Sequence, residues 1–251
     1  AKMSLSKDVV PISTLRPMDF GFTIRARVVH KSSIHKEYMF SVVLRDESAE
    51  INAMVMGSRC DKWKRFYEII ELDKVYYISH GSLDKVNRKY TSVENEYELY
   101  FDILTNVSLR CEDTPQIPTL PFFKFVEVAD LLRTDQVTAI DIIGIGKCSE
   151  ELKKRFPRSK TGKNATTIWI TDRTGRIPLT LYGDQVERLK GTDDEVVAVK
   201  GARLVRSDEL SLKVCRWGHI LVKPDAPEAH SLRSWWLRKK QPEITSFFKA
   251  K

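Results

Sequence analysis

The feature that most limits what this chain can fold into is an internal repeat. "LRDESAEINAMVMG" (Leu44–Gly57) and "ITDRTGRIPLTLYG" (Ile170–Gly183) each read as two strands around a tight polar turn, 126 positions apart. "FTIRARVVHKS" (Phe22–Ser32) resembles "IDIIGIGKCS" (Ile140–Ser149), and "KVYYISHGSL" (Lys74–Leu83) resembles "EVVAVKGARL" (Glu195–Leu204), in the same order and at similar offsets. Three matching strand blocks in one order identify a duplicated domain. The 251 residues accommodate two domains of about 110 to 120 residues, each large enough for its own core.

Each copy reads as a strand, a variable loop, a tight hairpin, a short helix and two more strands. The helices are "SRCDKWKRFYEIIE" (Ser58–Glu71), whose Trp63, Phe66, Ile69 and Ile70 recur at helical spacing, and the shorter "GDQVERLKG" (Gly183–Gly191). Five strands with a helix between the third and fourth predict an all-β chain of two tandem OB-folds, small five-stranded Greek-key barrels. The first is expected over residues 9–110 and the second over 122–226. Between them "CEDTPQIPTLP" (Cys111–Pro121) holds three prolines and no periodicity, which predicts a semi-extended connector outside any core. Residues 227–251 hold a short C-terminal helix, "PEAHSLRSWWLRKK", with Leu232, Trp235 and Trp236 as its packing stripe, and then a terminal peptide.

Alternation assigns faces. In "IPLTLY", Ile177, Leu179 and Leu181 share one side and Pro178, Thr180 and Tyr182 the other, so the aliphatic set goes inward and Tyr182 outward. In "INAMVM" the same reading buries Ile51, Ala53 and Val55 and turns Asn52, Met54 and Met56 out. "RKYTSV" reads as a strand with Thr91 and Val93 inward and Arg88, Tyr90 and Ser92 outward. An outward tyrosine in basic company suits base stacking, and equally suits covering a cross-strand neighbour.

Charge divides the copies. Residues 1–113 carry 17 Lys and Arg against 17 Asp and Glu; the remainder carries 25 against 17, which is the whole of the formal +8. Much of this lies in "KCSEELKKRFPRSKTGK" (Lys147–Lys163), seven cations against two glutamates around Phe156. Three readings fit: a clamp over a phosphate backbone using Lys153, Lys154, Arg155, Arg158, Lys160 and Lys163, a nuclear import signal, and a solvated loop. The matching loop of the first copy, "HKSSIHKEYMF", is shorter and barely charged, so the first barrel is expected to grip less.

Other classes are disfavoured. Cys60, Cys111, Cys148 and Cys215 form no C-x-x-C pair and the five histidines never pair at ligand spacing, so neither metal nor cofactor is expected. No apolar run approaches the roughly 20 residues of a membrane span, and no signal peptide is visible. Phosphate-loop, H-E-x-x-H and nucleophile-elbow motifs are lacking, which argues against an enzyme. The opening "AKM" reads like the start of a cloned fragment.

"VVPISTLRP" at Val9, "VYYISHGSL" at Val75, "CEDTPQIPT" at Cys111, "DIIGIGK" at Asp141, "AVKGARL" at Ala198 and "PEAHSLRSWW" at Pro227 together resemble the central OB domains of the large subunit of replication protein A. The resemblance implies nonspecific single-stranded DNA binding in replication, repair and recombination, in the nucleus. It places stacking positions at Met56 and Tyr90 in the first domain and at Tyr182 and Ser207 in the second, a groove arginine at Arg203 and a loop arginine at Arg158. Asn52 stands where the family has an arginine, and the first clamp loop is cut short around His35. Trp217 is a candidate substitute ring. The single-stranded DNA set is Tyr90, Tyr182, Arg203, Arg158, Lys163, Lys160, Phe156, Met56, Arg88, Lys85, Glu98 and Trp217. The departures imply weaker binding centred on the second barrel, as in a divergent paralogue. The family's zinc-bearing domain, which contacts the smaller subunits, has no counterpart in these residues.

At the end, "QPEITSFF" places Gln241, Ile244, Phe247 and Phe248 at the spacing Q-x-x-I-x-x-F-F, which resembles the peptide that docks on the sliding clamp PCNA. Three apolar side chains on one tight turn form a plug, and Lys249 and Lys251 suit an acidic rim. An adaptor that has lost most DNA affinity remains the alternative to a DNA-binding module.

Overall fold

The structure is a computed structural model; it describes residues 8–110, 114–131, 133, 138–149, 152, 165–207 and 209–240, with Arg216 by backbone alone. Contacts divide the chain after Phe122, with Arg88–Ser92 grouped with the second unit.

The first unit opens with a 3₁₀ turn, Ile12–Thr14, then β1 (Thr23–Lys31), β2 (Met39–Arg45), β3 (Glu50–Met56), α1 (Trp63–Ile69), β4 (Val75–Ser79), β5 (Ser82–Lys85), β6 (Tyr97–Tyr100) and β7 (Asn106–Leu109). The strand order is β5-β6-β3-β2-β1-β4-β7. The second unit runs α2 (Val128–Leu131), β8 (Ile140–Cys148), β9 (Ala165–Thr171), β10 (Arg176–Tyr182), α3 (Asp184–Arg188), β11 (Glu195–Arg206), β12 (Leu210–Val222) and α4 (Pro227–Lys240). Its five strands close into a barrel in the order β10-β12-β11-β8-β9, with β10 and β12 parallel and every other pair antiparallel. Both units are OB-folds.

The copies differ where two backbones turn left-handed. In the second unit Gly201, at φ 74°, stands where the β11–β12 register shifts, opposite the extra residues 215–218 of β12, and β11 runs on. In the first unit His80 and Gly81 are left-handed in succession, at φ 63° and 120°, and pairing stops. The fourth strand therefore splits into β4 and β5, and the fifth into β6 and β7, with β4 on β7 and β5 on β6.

Each barrel is filled by the inward half of its alternation. Ile24, Phe40, Ile51, Ile78, Leu99 and Phe101 form the first core, closed by Phe66 and Ile70 at α1. Ile142, Ile170, Leu179, Val197, Leu212 and Ile220 form the second, closed by Val128 and Leu131 of α2 and by Leu189. Helix α4 seats Ala229 and Leu232 on Ile145 and Val196, with Trp235 and Trp236 packed alongside.

Two expectations need correction. The described part of the proline-rich stretch does not stand clear of the core: Ile117 is buried, and Arg27 donates to the carbonyls of Ile117 and Thr114 at 3.2 and 3.1 Å. "RKYTSV" forms no strand. Among the described residues no neighbouring backbone pairs with it as a ladder; Thr91 and Val93 are nonetheless buried, Val93 joining Val29 and Val43 in a small separate cluster.

Candidate nucleic-acid interface

The outer face of the second barrel is fixed by register. Thr180 lies opposite Thr167 on β9, their hydroxyls 3.0 Å apart, and on its other side opposite Lys213 of β12. Lys213 in turn lies opposite Arg203 of β11. A row of Thr167, Thr180, Lys213 and Arg203 thus crosses four strands, because the residues between them (Leu179, Leu212, Leu204) point into or against the core. Tyr182 stands two residues further along β10, opposite Ala165. It is half-buried, and that burial pushes its phenol pKa up. Gln185 fixes this end of the strand: its carbonyl accepts from the Tyr182 N–H and its amide donates to the Gly218 carbonyl, each at 3.2 Å.

Beyond Lys213, β12 passes through residues 215–218, where its register against β11 breaks, and Cys215 is buried there. Trp217 is half-buried. Burial holds the Cys215 thiol at about 11, against the opposing pull of Arg203, so it is a neutral packing group. Ser207 is exposed just past β11 and its hydroxyl donates to the Glu209 carbonyl at 3.3 Å.

The same construction in the first unit gives opposite chemistry. Met54 lies opposite Ser41 and beside Tyr100, and Tyr100 opposite Ser82. Tyr100 and Ser82 therefore hold the places that Lys213 and Arg203 hold in the second unit. The neighbouring pair is acidic on both strands, Glu98 opposite Asp84. The Tyr100 hydroxyl donates to Glu98 at 3.2 Å, Asp84 bridges Arg59 at 3.2 Å, and the Arg59 guanidinium lies 4.2 Å from the Tyr100 ring centroid. Burial pushes the Glu98 carboxyl pKa up, opposed by hydrogen bonds from Tyr100 and Asn52.

Among residues expected to face out, Pro178 and Thr180 are buried on the second barrel, and on the first Asn52 and Met54 are 2% and 3% exposed. Asn52 and Met54 do leave the core face, but β2 and β6 side chains cover them. Met56 is half-buried opposite Met39, Lys85 is exposed at the end of β5, Arg88 is half-buried, and Tyr90 is exposed within a loop. Lys213 was not singled out in the sequence, although the alternation of "LSLKVCRW" carries the signal. Phe156, Arg158, Lys160 and Lys163, and the tail residues Gln241, Ile244, Phe247 and Phe248, lie outside the described residues. Among the described residues no group of three His, Cys, Asp or Glu could hold a metal ion, and no helix is long and apolar enough to cross a membrane.

The family model for the replication protein A OB domain matches residues 128–222, and one described as an OB-fold nucleic acid binding domain matches residues 22–106. The 70 kDa DNA-binding subunit of replication protein A from Xenopus tropicalis is 38% identical over 237 residues, covering 91% of this chain and 38% of that protein. The chain is homologous to the replication protein A 70 kDa subunit. Replication factor A protein 1 of Schizosaccharomyces pombe is 32% identical over 245 residues, or 94% of this chain and 39% of the relative. A solved replication protein A heterotrimer bound to single-stranded DNA superimposes with a TM-score of 0.65 at 29% identity, over 92% of this chain and 55% of that one. The chain thus spans about two-fifths of the length of the curated replication protein A relatives it matches.

Proposed function

We propose that this chain is a non-enzymatic, sequence-nonspecific single-stranded DNA-binding module of nuclear replication and repair. The observation that carries the reading is the outward side of the second barrel, which presents Tyr182, Lys213 and Arg203 on β10, β12 and β11, in a homologue of a DNA-binding subunit. A base lies against the Tyr182 ring, which accepts any base because every base has a π-face, while Lys213 and Arg203 hold phosphates. Arg158, Lys160, Lys163 and Phe156 extend that grip from the loop after β8, and Trp217 supplies a further ring. In the first unit Met56, Tyr90, Lys85, Arg88 and Glu98 make the weaker contacts. Met56, Asn52 and Ser207, replacing two rings and an arginine, mark a divergent paralogue. The tail binds PCNA through Gln241, Ile244, Phe247 and Phe248, and smaller replication protein A subunits contact parts of the protein beyond these residues.

The second reading, a protein-interaction adaptor, is favoured by one observation: Glu98 and Asp84 occupy the first face where a phosphate backbone would run. Titrating labelled oligothymidine, oligoadenosine and a duplex separates the two. The module binds both single strands with similar affinity and the duplex far less; the adaptor binds none of them. Adding PCNA to the complex raises anisotropy further, and Phe247→Ala with Phe248→Ala abolishes that second step alone.

A further inference from the structure

The second unit carries another cationic, aromatic concavity that the row above does not use. Where the outer faces of β8 and β9 meet the end of α4, a cavity of about 380 Å³ is lined by Lys147, Trp169, Arg176, Trp236, Lys239 and Lys240, with Ile145 and Thr171 at its floor. Register explains the convergence: Trp169 lies opposite Lys147 on one side and Pro178 on the other, and Thr171 lies opposite both Ile145 and Arg176. All are on the outward face of their strands, and α4, held on Ile145 and Val196, brings its last turn to them.

The lining has four cations and no carboxylate. The Arg176 guanidinium lies 4.4 Å from the Trp169 ring centroid and the Lys240 ammonium 5.3 Å from that of Trp236. Lys240 also bridges Asp194 at 2.6 Å. Lys147, Arg176 and Lys239 are exposed, and among the described residues no carboxylate pairs with them. The Trp236 indole N–H is buried and has no acceptor among the described residues. The cavity and the Tyr182 row lie on the same side of the β9–β10 hairpin, whose outward pairs run Tyr182–Ala165, Thr180–Thr167, Pro178–Trp169 and Arg176–Thr171, with Thr180, Thr167, Pro178 and Trp169 buried between the two ends. Thr180 and Arg176 are four residue steps apart along the strand, about 13 Å.

We propose that this cavity is a second single-stranded nucleic-acid contact, in which Lys147, Arg176 and Lys239 hold the phosphates of a strand whose other part engages the Tyr182 row. The chemistry recognised is the phosphodiester backbone: exposed cations without carboxylate partners release counterions when a polyanion replaces them. The inference rests on the proposed single-stranded DNA binding, and deepens it by assigning a longer footprint to the second unit.

The test uses the whole chain with oligothymidines of about 8 and about 30 residues, the shorter within the range one OB-fold accommodates. Lys147→Ala combined with Lys239→Ala, both at exposed positions, weakens the longer strand about tenfold near 0.1 M salt and lowers its log–log salt slope by about 1.4, at about 0.7 per lost phosphate contact. The shorter strand is unaffected. Arg176→Ala alone gives about half the slope change and serves as an independent variant. Unchanged affinity and slope for the longer strand in both variants overturn the second contact while leaving the Tyr182 row intact. An equal loss for both lengths also overturns it, since the cations then belong to the first footprint. Wild-type protein that binds neither strand overturns both readings, and an acidic peptide that binds wild type but not the double variant would instead assign the cavity to a protein partner.

Discussion

At the scale of single residues, the two copies of one hairpin diverge at few positions with large chemical effect. Tyr182 and Met56 end matching strands, and Arg203 and Ser82 follow matching left-handed residues, so one barrel presents a ring and cations where the other presents a thioether and a hydroxyl. Alternation in the sequence was sufficient to put Tyr182 on the outside, because its inward neighbours are all aliphatic. It did not reveal that Asn52 and Met54 are covered, since alternation assigns a side and says nothing of the neighbouring strand's bulk. Glu98 carries a consequence for stability. Its carboxyl is pushed above the ordinary 4.5 by burial, so the folded chain keeps a proton that the unfolded chain releases as pH rises. The contribution is fully present below 4.5 and is lost as pH climbs through the raised folded value. Glu98→Gln, which cannot titrate, flattens that part of the curve, as urea midpoints measured between about pH 4 and about pH 7 will show.

At the scale of elements, the second barrel is tied together by a buried ion pair between β8 and β11. Lys200, 5% exposed in its side chain, bridges Asp141, 2% exposed, at 3.2 Å. Asp141 also accepts from the Gly201 and Lys124 N–H groups, each at 3.1 Å, which satisfies the carboxylate at the bulge. Asp141→Ala removes the carboxylate that faces this buried ammonium, and is expected to cost about 3–5 kcal/mol in chemical denaturation, whereas Asp141→Leu with Lys200→Met recovers most of that loss. The element order of both barrels was legible in the repeat, as were the inward faces of β3 and β10. The splitting of the first copy's fourth and fifth strands was not, because His80 gives no sign of a left-handed backbone. Nor was the loop at Arg88–Ser92, whose buried Thr91 imitates a strand's alternation without a partner strand.

At the scale of the whole molecule, duplication has produced two barrels of one topology and unequal charge. The half-chain balance of cations and anions made that inequality visible early, but not its placement. The structure sets Lys213 and Arg203 side by side across β12 and β11, and sets Glu98 and Asp84 on the corresponding face of the first unit. Tyr182 with that cation pair is therefore expected to dominate the grip on single-stranded DNA. The most direct test is fluorescence anisotropy of a labelled oligothymidine at about 0.05 M and about 0.2 M salt, with wild type, Tyr182→Ala and Arg203→Ala. The expected result is a steep loss of wild-type affinity with salt, a cost of about 1–3 kcal/mol for Tyr182→Ala at both concentrations, and a salt slope shallower by about 0.7 for Arg203→Ala. An affinity indifferent to salt, or one that neither substitution changes, would contradict it.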